Sequence, residues 1–312
     1  MYNIVVTRAK NEHGYLGNFI DHYLNLGFDF IYIFIEQDQC YNIKNPKISF
    51  INYTNKRVND IQFIFNIFLK DLSKKKEIDW VLHVDIDEFL FLQNNIKIHE
   101  YINKFYRENI GQFIFKWAMI ENFRSIDSEN DFQNISNQCK LYSNPHYKSM
   151  IKLKYLKHGR HPHYAITIKD TYLDNIKIKG NLRGFCRENN NYTNAILVHY
   201  HTRNLENVFV KALATNFRDK RISPDIIHKK YSINEMIKTI KKFKLPFHHA
   251  KGNILNKNNI PKILFNTNTK IDNEIIHNML KEVCKSYNVH YNTVVNYIKE
   301  FELKYSKQFL CE

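Results

Sequence analysis

Between residues 47 and 85 the chain reads as a strand, an amphipathic helix and a second strand, and this order constrains the fold more than any single residue does. KISFINY (47–53) is rich in β-branched and aromatic residues. From Val58 to Leu72 the apolar positions Ile61, Ile64, Phe65, Phe68, Leu69 and Leu72 recur at the three- and four-residue spacing of one helix face. DWVLHVD (79–85) follows, and Trp80, Val81, Leu82 and Val84 form the short apolar run of a strand covered on both faces. A helix between two nearby strands is the sign of a parallel crossover. The pattern also holds upstream. YNIVVT (2–7) is a strand, Leu16, Phe19, Ile20, Tyr23 and Leu24 lie at helical spacing before a stop at Gly27, and FIYIFI (30–35) is a strand again.

The expected fold is therefore α/β, with a nucleotide-binding type of half-domain in front. QFIFKWAM (112–119) is a further strand candidate. Short strands are expected at 148–155 and 194–200 within a mixed, polar stretch. Helical patterns take over from Leu205, with a capping box at Ser232 and Glu235 and further helices at 272–287 and 291–306. This divides the chain into residues 1–215 and a basic helical extension, 216–312, packed on them as an annex.

Asp85 and Asp87 stand at the carboxyl end of the strand at 79–85, the edge of an open α/β sheet where ligands bind. Alternation along an extended chain puts both on one side. Two hard oxygen ligands suit Mg²⁺ or Mn²⁺, which commonly completes its shell with substrate phosphates. The bland alternative is a solvated acidic turn after a core strand.

At 312 residues the chain is long enough for a full core. Its formal charge of +15 raises three kinds of partner: nucleic acid, an anionic membrane, or a phosphorylated small substrate. The basic residues are spread along the chain, as solvated faces would be. Five cysteines, at 40, 139, 186, 284 and 311, have no metal-ligand spacing and read as reduced thiols in a cytosolic chain. No run of about 18 apolar residues occurs and the amino terminus starts directly with a strand, so a cytoplasmic protein is expected, with peripheral membrane contact at most.

Three ordered segments, TRAKNEHGYL with HYLNLGFDFIYIFIEQD, IDWVLHVDIDEFL, and LVHYHTRNLENVFVKAL, resemble glycosyltransferases of the family 2 type and of family 92. The matching residues are Lys10-Asn11-Glu12, Leu26-Gly27, Asp85 to Phe89, and His199-Tyr200 followed by Arg203, Phe209 and Lys211. The resemblance covers roughly residues 3–215 and implies a GT-A-like nucleotide-binding mixed sheet flanked by helices, with a helical carboxyl-terminal annex. It implies a nucleotide-sugar donor, with UDP as its nucleotide, held near Thr7, Arg8, Glu12, Glu36 and Asp38. It also implies a metal on Asp85 and Asp87 completed by His199, with His201 as the neighbouring alternative. Lys148, Lys152 or Arg203 would pair with donor phosphates. A glycan, glycolipid or protein would be the acceptor. Its base would be Glu121, Asp127 or Asp131, with Glu121 preferred. Family members carry a Trp-x-x-Phe-Gly segment here, whereas this chain has Trp117-Ala-Met-Ile-Glu121, so a different acceptor pocket is expected. The histidines of HGRHPHYA, His158, His161 and His163, are placed near the site rather than on zinc.

Two other classes compete. A metal-dependent nuclease or nucleotidyltransferase would use the same aspartates but needs further carboxylates for a second metal. A basic nucleic-acid- or membrane-binding module would use the lysine-rich carboxyl-terminal helices, although no nucleic-acid motif is present and no specific nucleic acid is expected. Lys238, Lys241 and Lys242 are the expected membrane contacts.

Overall fold

The computed structural model describes residues 1–9, 12, 14–36, 41–53, 60–121, 132–161, 163–178, 192–203, 206, 253–265, 271–286 and 290–309. The front half alternates as its periodicity requires: β1 (Tyr2–Ala9), α1 (Leu16–Asn25), β2 (Phe30–Glu36), β3 (Ile48–Tyr53), α2 (Asp60–Ser73) and β4 (Ile78–His83). β1 runs parallel to both β2 and β4, and β2 runs parallel to β3. β1 is buried on both faces. Val5 joins the core under α1, while Ile4 and Val6 join a second core with Leu69 and Leu72 of α2. The sheet is thus the middle of three layers, which explains why its strands read as continuous apolar runs. Gly27 takes φ +95° just after α1, and the N–H of Phe28 reaches back to the Tyr23 carbonyl at 3.2 Å, so the expected stop is a left-handed helix cap.

Beyond β4 the sheet becomes mixed. The following elements are β5 (Glu88–Leu92), α3 (Ile98–Phe105), β6 (Ile110–Glu121), α4 (Phe132–Gln138), β7 (Leu141–Lys152), β8 (Leu156–His161), β9 (Tyr164–Thr167), β10 (Asp170–Leu173), β11 (Ile176–Lys177) and β12 (Ala195–Thr202). Among the described residues ten strands form one sheet, in the order β11-β10-β6-β7-β4-β1-β2-β3. β12 pairs in parallel with the carboxyl half of β6 and antiparallel with β5. β7 lies antiparallel to both β4 and β6, so β4 does not sit in a purely parallel sheet as its sequence suggested. β8 and β9 form a separate two-stranded hairpin. This is a mixed α/β sheet flanked by helices, in line with the GT-A-like expectation.

The rear of the chain joins the same body. Leu255 donates to the Leu141 carbonyl at 2.8 Å, and Phe265 stacks on Phe132 at 5.5 Å within the main core. Helices α5 (Asn273–Ser286) and α6 (Tyr291–Phe309) pack on each other, and Ile276 of α5 is 2% exposed in that core. The helical patterns expected from Leu205 to Phe243, with the capping box and Lys238, Lys241 and Lys242, lie outside the described residues apart from Glu206, which is helical and buried.

Candidate active site

β4 ends at His83, and the chain does not stay extended through the two aspartates. It turns instead: the Glu88 N–H donates to the Asp85 carbonyl at 3.0 Å, and the Glu88 carboxylate accepts the Asp85 N–H at 2.9 Å. A turn closed from both sides replaces the strand alternation expected for Asp85 and Asp87, so each faces its own partners. Asp85 is half-exposed and its side chain meets the Lys148 ammonium at 2.6 Å. Asp87 is 7% exposed, with His199 Nε2 at 3.4 Å and Arg203 Nη2 at 3.8 Å. Tyr200 of β12 donates to the Asp87 carbonyl at 2.8 Å and fixes the turn to the neighbouring strand.

Two fully buried cations organise these acids. Lys148 of β7 stands between Asp85 and Glu88, 3.4 Å from the latter. Burial works to lower the lysine pKa, but Asp85 and Glu88 outweigh it and the group is held above its ordinary value. Glu88 goes the other way. Burial pushes its carboxyl well above the usual range against the pull of Lys148, and its Oε1 has no hydrogen-bond partner. What burial Asp85 has works upward, yet the Lys148 ammonium prevails and holds it at about 2.

Arg203 follows β12 and pairs with Glu12, which follows β1, while its guanidinium lies 4.1 Å from the centre of the Tyr15 ring. Burial lowers its pKa, and Glu12 and Asp87 more than restore it. Lys148 and His199 meet at Trp117 of β6. Its ring lies 4.4 Å from His199, 5.0 Å from His146 and 5.1 Å from His163, with the Lys148 ammonium 5.8 Å away. Trp117 Nε1 is buried without a hydrogen-bond partner, as is the hydroxyl of fully buried Thr7 on β1.

The structure thus gathers Glu12, Asp85, Asp87, His199 and Arg203 in one cluster, at the carboxyl edge of β1 and β4, where Thr7 also stands. Arg8 lies on β1 and faces the Tyr53 ring of β3 at 5.8 Å. Glu36 ends β2 and Glu121 ends β6 next to Thr202, with only their backbones described; Asp38, Asp127 and Asp131 lie outside the described residues, as does the side chain of His201. Lys152 is not brought to the cluster. It pairs in register with Trp80, nearer the opposite end of β4, binds Asp79 at 3.2 Å and covers the Tyr106 ring at 4.0 Å. Antiparallel register explains this, because β7 approaches the aspartates at Lys148 and recedes from them by Lys152. Arg203 reaches the site but is engaged by protein carboxylates. His163 comes near through Trp117, while His158 is exposed on the hairpin. A cavity of about 370 Å³ opens at the amino-terminal edge of the sheet, lined by Tyr2, Asp29, Lys47, Lys75 and Glu77 among others, and it contains none of these site residues.

Two carboxylates and an imidazole form a donor set that suits Mg²⁺ or Mn²⁺. In the protein their side chains are turned to Lys148, Arg203 and one another, and among the described residues no three histidines, cysteines or carboxylates are grouped as a metal shell. Half of the Asp85 side chain is exposed, far more than of Asp87 or His199.

No family model matches this chain, and no curated protein does. Two solved structures of LgtC overlap part of it: an active-site mutant, at 17% identity, TM-score 0.25, covering 48% of this chain and 57% of that one. The other is the galactosyltransferase with donor and acceptor sugar analogues, at 16% identity, TM-score 0.24, covering 48% and 58%. The chain thus spans little more than half the length of those proteins, and an overlap of this extent carries no argument about the site.

Proposed function

We propose that this protein transfers a sugar from a nucleoside-diphosphate donor, of the UDP-sugar kind, to a hydroxyl on a glycan, glycolipid or protein. The observation that carries this reading is the closed turn Asp85–Glu88 at the carboxyl edge of a parallel β1/β4 pair, its acids fixed by Lys148, His199 and Arg203. That edge is where an α/β sheet receives a nucleotide. The ordered resemblance of the sequence to family 2 and family 92 glycosyltransferases supports the same reading.

In this reading Asp85 and Asp87, with His199 beside them, would hold a divalent cation, which when bound would supply Lewis-acid stabilisation to a leaving diphosphate. The chain's own residues prepare the place. Lys148 holds the Asp85 carboxylate and Glu88 its backbone N–H, Arg203 holds Glu12 and Asp87 in position, and Trp117 stands between His199 and the imidazoles of His146 and His163. The unpaired Thr7 hydroxyl and Trp117 N–H are buried hydrogen-bonding groups that a bound donor would satisfy. Arg8, Glu36 and Asp38, at and beyond the ends of β1 and β2, would line the nucleotide. Glu121, at the end of β6, takes the acceptor proton. A nuclease with two metals is disfavoured, because Glu88 is sealed from solvent and Glu12 is tied to Arg203.

Calorimetric titration of UDP and GDP, with and without Mn²⁺, tests the reading on the wild type and on Asp85→Asn. Asp85 is the better position because half its side chain is exposed, whereas Asp87 is buried. Metal-dependent binding should weaken about tenfold or more, some 1.4 kcal/mol, in the variant. If no nucleoside diphosphate binds the wild type, the reading falls.

A further inference from the structure

Residues 132–169 contain seven lysines and arginines and no aspartate or glutamate. Two of those lysines, Lys148 and Lys152, are drawn into the interior. Lys154, Lys157 and Lys169 are exposed, on and beside the β8/β9 hairpin that stands apart from the main sheet. The same hairpin exposes two aliphatic side chains, Ile166 at 37% and Ile168 at 64%. Ile166 lies on β9 and Ile168 in the bend that follows it, while Ala165 turns inward at 4% exposure. Ile168 N–H donates to the Tyr155 carbonyl at 2.9 Å, which ties the bend to the turn before β8. The Tyr155 ring lies between the ammonium groups of Lys154 and Lys169, at 4.8 and 5.6 Å.

Exposed apolar side chains on a hairpin that also carries several exposed cations need two things from one partner: an apolar phase and a dense layer of anions in front of it. A nucleic-acid backbone supplies only the second. An anionic bilayer supplies both, acyl chains behind phosphate headgroups. We infer that the outer face of the β8/β9 hairpin docks on an anionic lipid surface, with Ile166 and Ile168 entering the headgroup layer and Lys154, Lys157 and Lys169 meeting lipid phosphates. This surface is distinct from the carboxyl-terminal lysines expected from the sequence, and it does not depend on the sugar-transfer reading.

The test is co-sedimentation of the full chain with vesicles of phosphatidylcholine containing about 30% phosphatidylglycerol, a composition that gives the surface a strongly negative potential. The wild type should pellet with these vesicles and stay in solution with phosphatidylcholine alone. Ile168→Asp should bind about tenfold more weakly, the scale of losing one buried aliphatic side chain. Lys157→Gln with Lys169→Gln should bind about 25-fold more weakly, near fivefold per charge. All three positions are exposed, so melting temperatures should match the wild type. A wild type that remains in the supernatant overturns the inference, and so do variants that pellet as it does. Loss confined to the lysine variant, with single-stranded RNA competing for the protein, would identify a polyanion site and equally overturn it.

Discussion

Lys148 carries more of the site than its place in the sequence suggests. A lysine in a strand beside an acidic motif reads as a phosphate ligand, but this one is fully buried and spent on Asp85 and Glu88. Removing one partner of a buried ion pair typically costs about 3–5 kcal/mol, because the other is left uncompensated. Glu88 is the group at risk, since its carboxyl already resists ionisation. Lys148→Met should therefore lower the unfolding free energy by about 3 kcal/mol, and adding Glu88→Gln should recover at least about half of it. Urea unfolding of the single and double variants measures both. Arg203 teaches the same lesson. The sequence shows that basic residues follow the late histidine, but nothing in it tells whether they face substrate or protein; the partner, Glu12, is 191 positions away. In the sequence Trp117 reads as a strand residue and as the start of the segment that resembles an acceptor pocket, but its contacts with three imidazoles arise from β7, the hairpin tip and β12 together.

At the scale of elements, the front half was readable because each strand and helix there buries a simple periodic face. β5 was missed. EFLFL directly follows the acidic turn, and a continuous strand through the aspartates looked sufficient until the reciprocal bonds between Asp85 and Glu88 showed the chain reversing course. β7 was seen only in its last third, since its first residues, Leu141 to His146, alternate too little to signal a strand. The docking of α5 has its own signature in Gly14. A Cβ placed there would lie 2.8 Å from the Cγ1 of buried Ile276 and 3.1 Å from the Asp272 carbonyl, whose own residue donates to the Gly14 carbonyl at 3.1 Å. Gly14→Ala should cost about 1–3 kcal/mol through this overlap. Faster amide exchange in α5 than in α2 would show that the loss is local, whereas equal acceleration everywhere would show that α5 is part of the global folding unit.

The whole molecule shares one pH-sensitive joint. His22 of α1 is buried against Phe89, Phe91 and Phe265, and its Nε2 lies 2.9 Å from the Leu90 carbonyl. Burial lowers its pKa from 6.5 to about 4, and the Leu90 contact offsets this only in part. The folded state thus holds fewer protons than the unfolded state between those values, so stability is full above pH 6.5 and declines as pH falls toward about 4. The decline attributable to His22 should approach about 3 kcal/mol. Denaturant unfolding at pH 7 and pH 4.5 should show this difference in the wild type and lack it in His22→Gln. No helix among the described residues is long and apolar enough to cross a membrane.

The pair between Glu12 and Arg203 also sets an order of events. It ties a loop of 191 positions, and closing a loop of that size costs roughly 4–5 kcal/mol of chain entropy before the contact repays any of it. No early piece of the chain can hold Asp87 from both sides. On the ribosome the parallel strands β1 to β4 can form while β12 is still unmade, but the acidic turn gains its guanidinium only when residue 203 arrives. The acidic turn thus gains its last partner only after a long stretch of chain has been made, and a product that ends before residue 203 would lack the guanidinium that meets both Glu12 and Asp87.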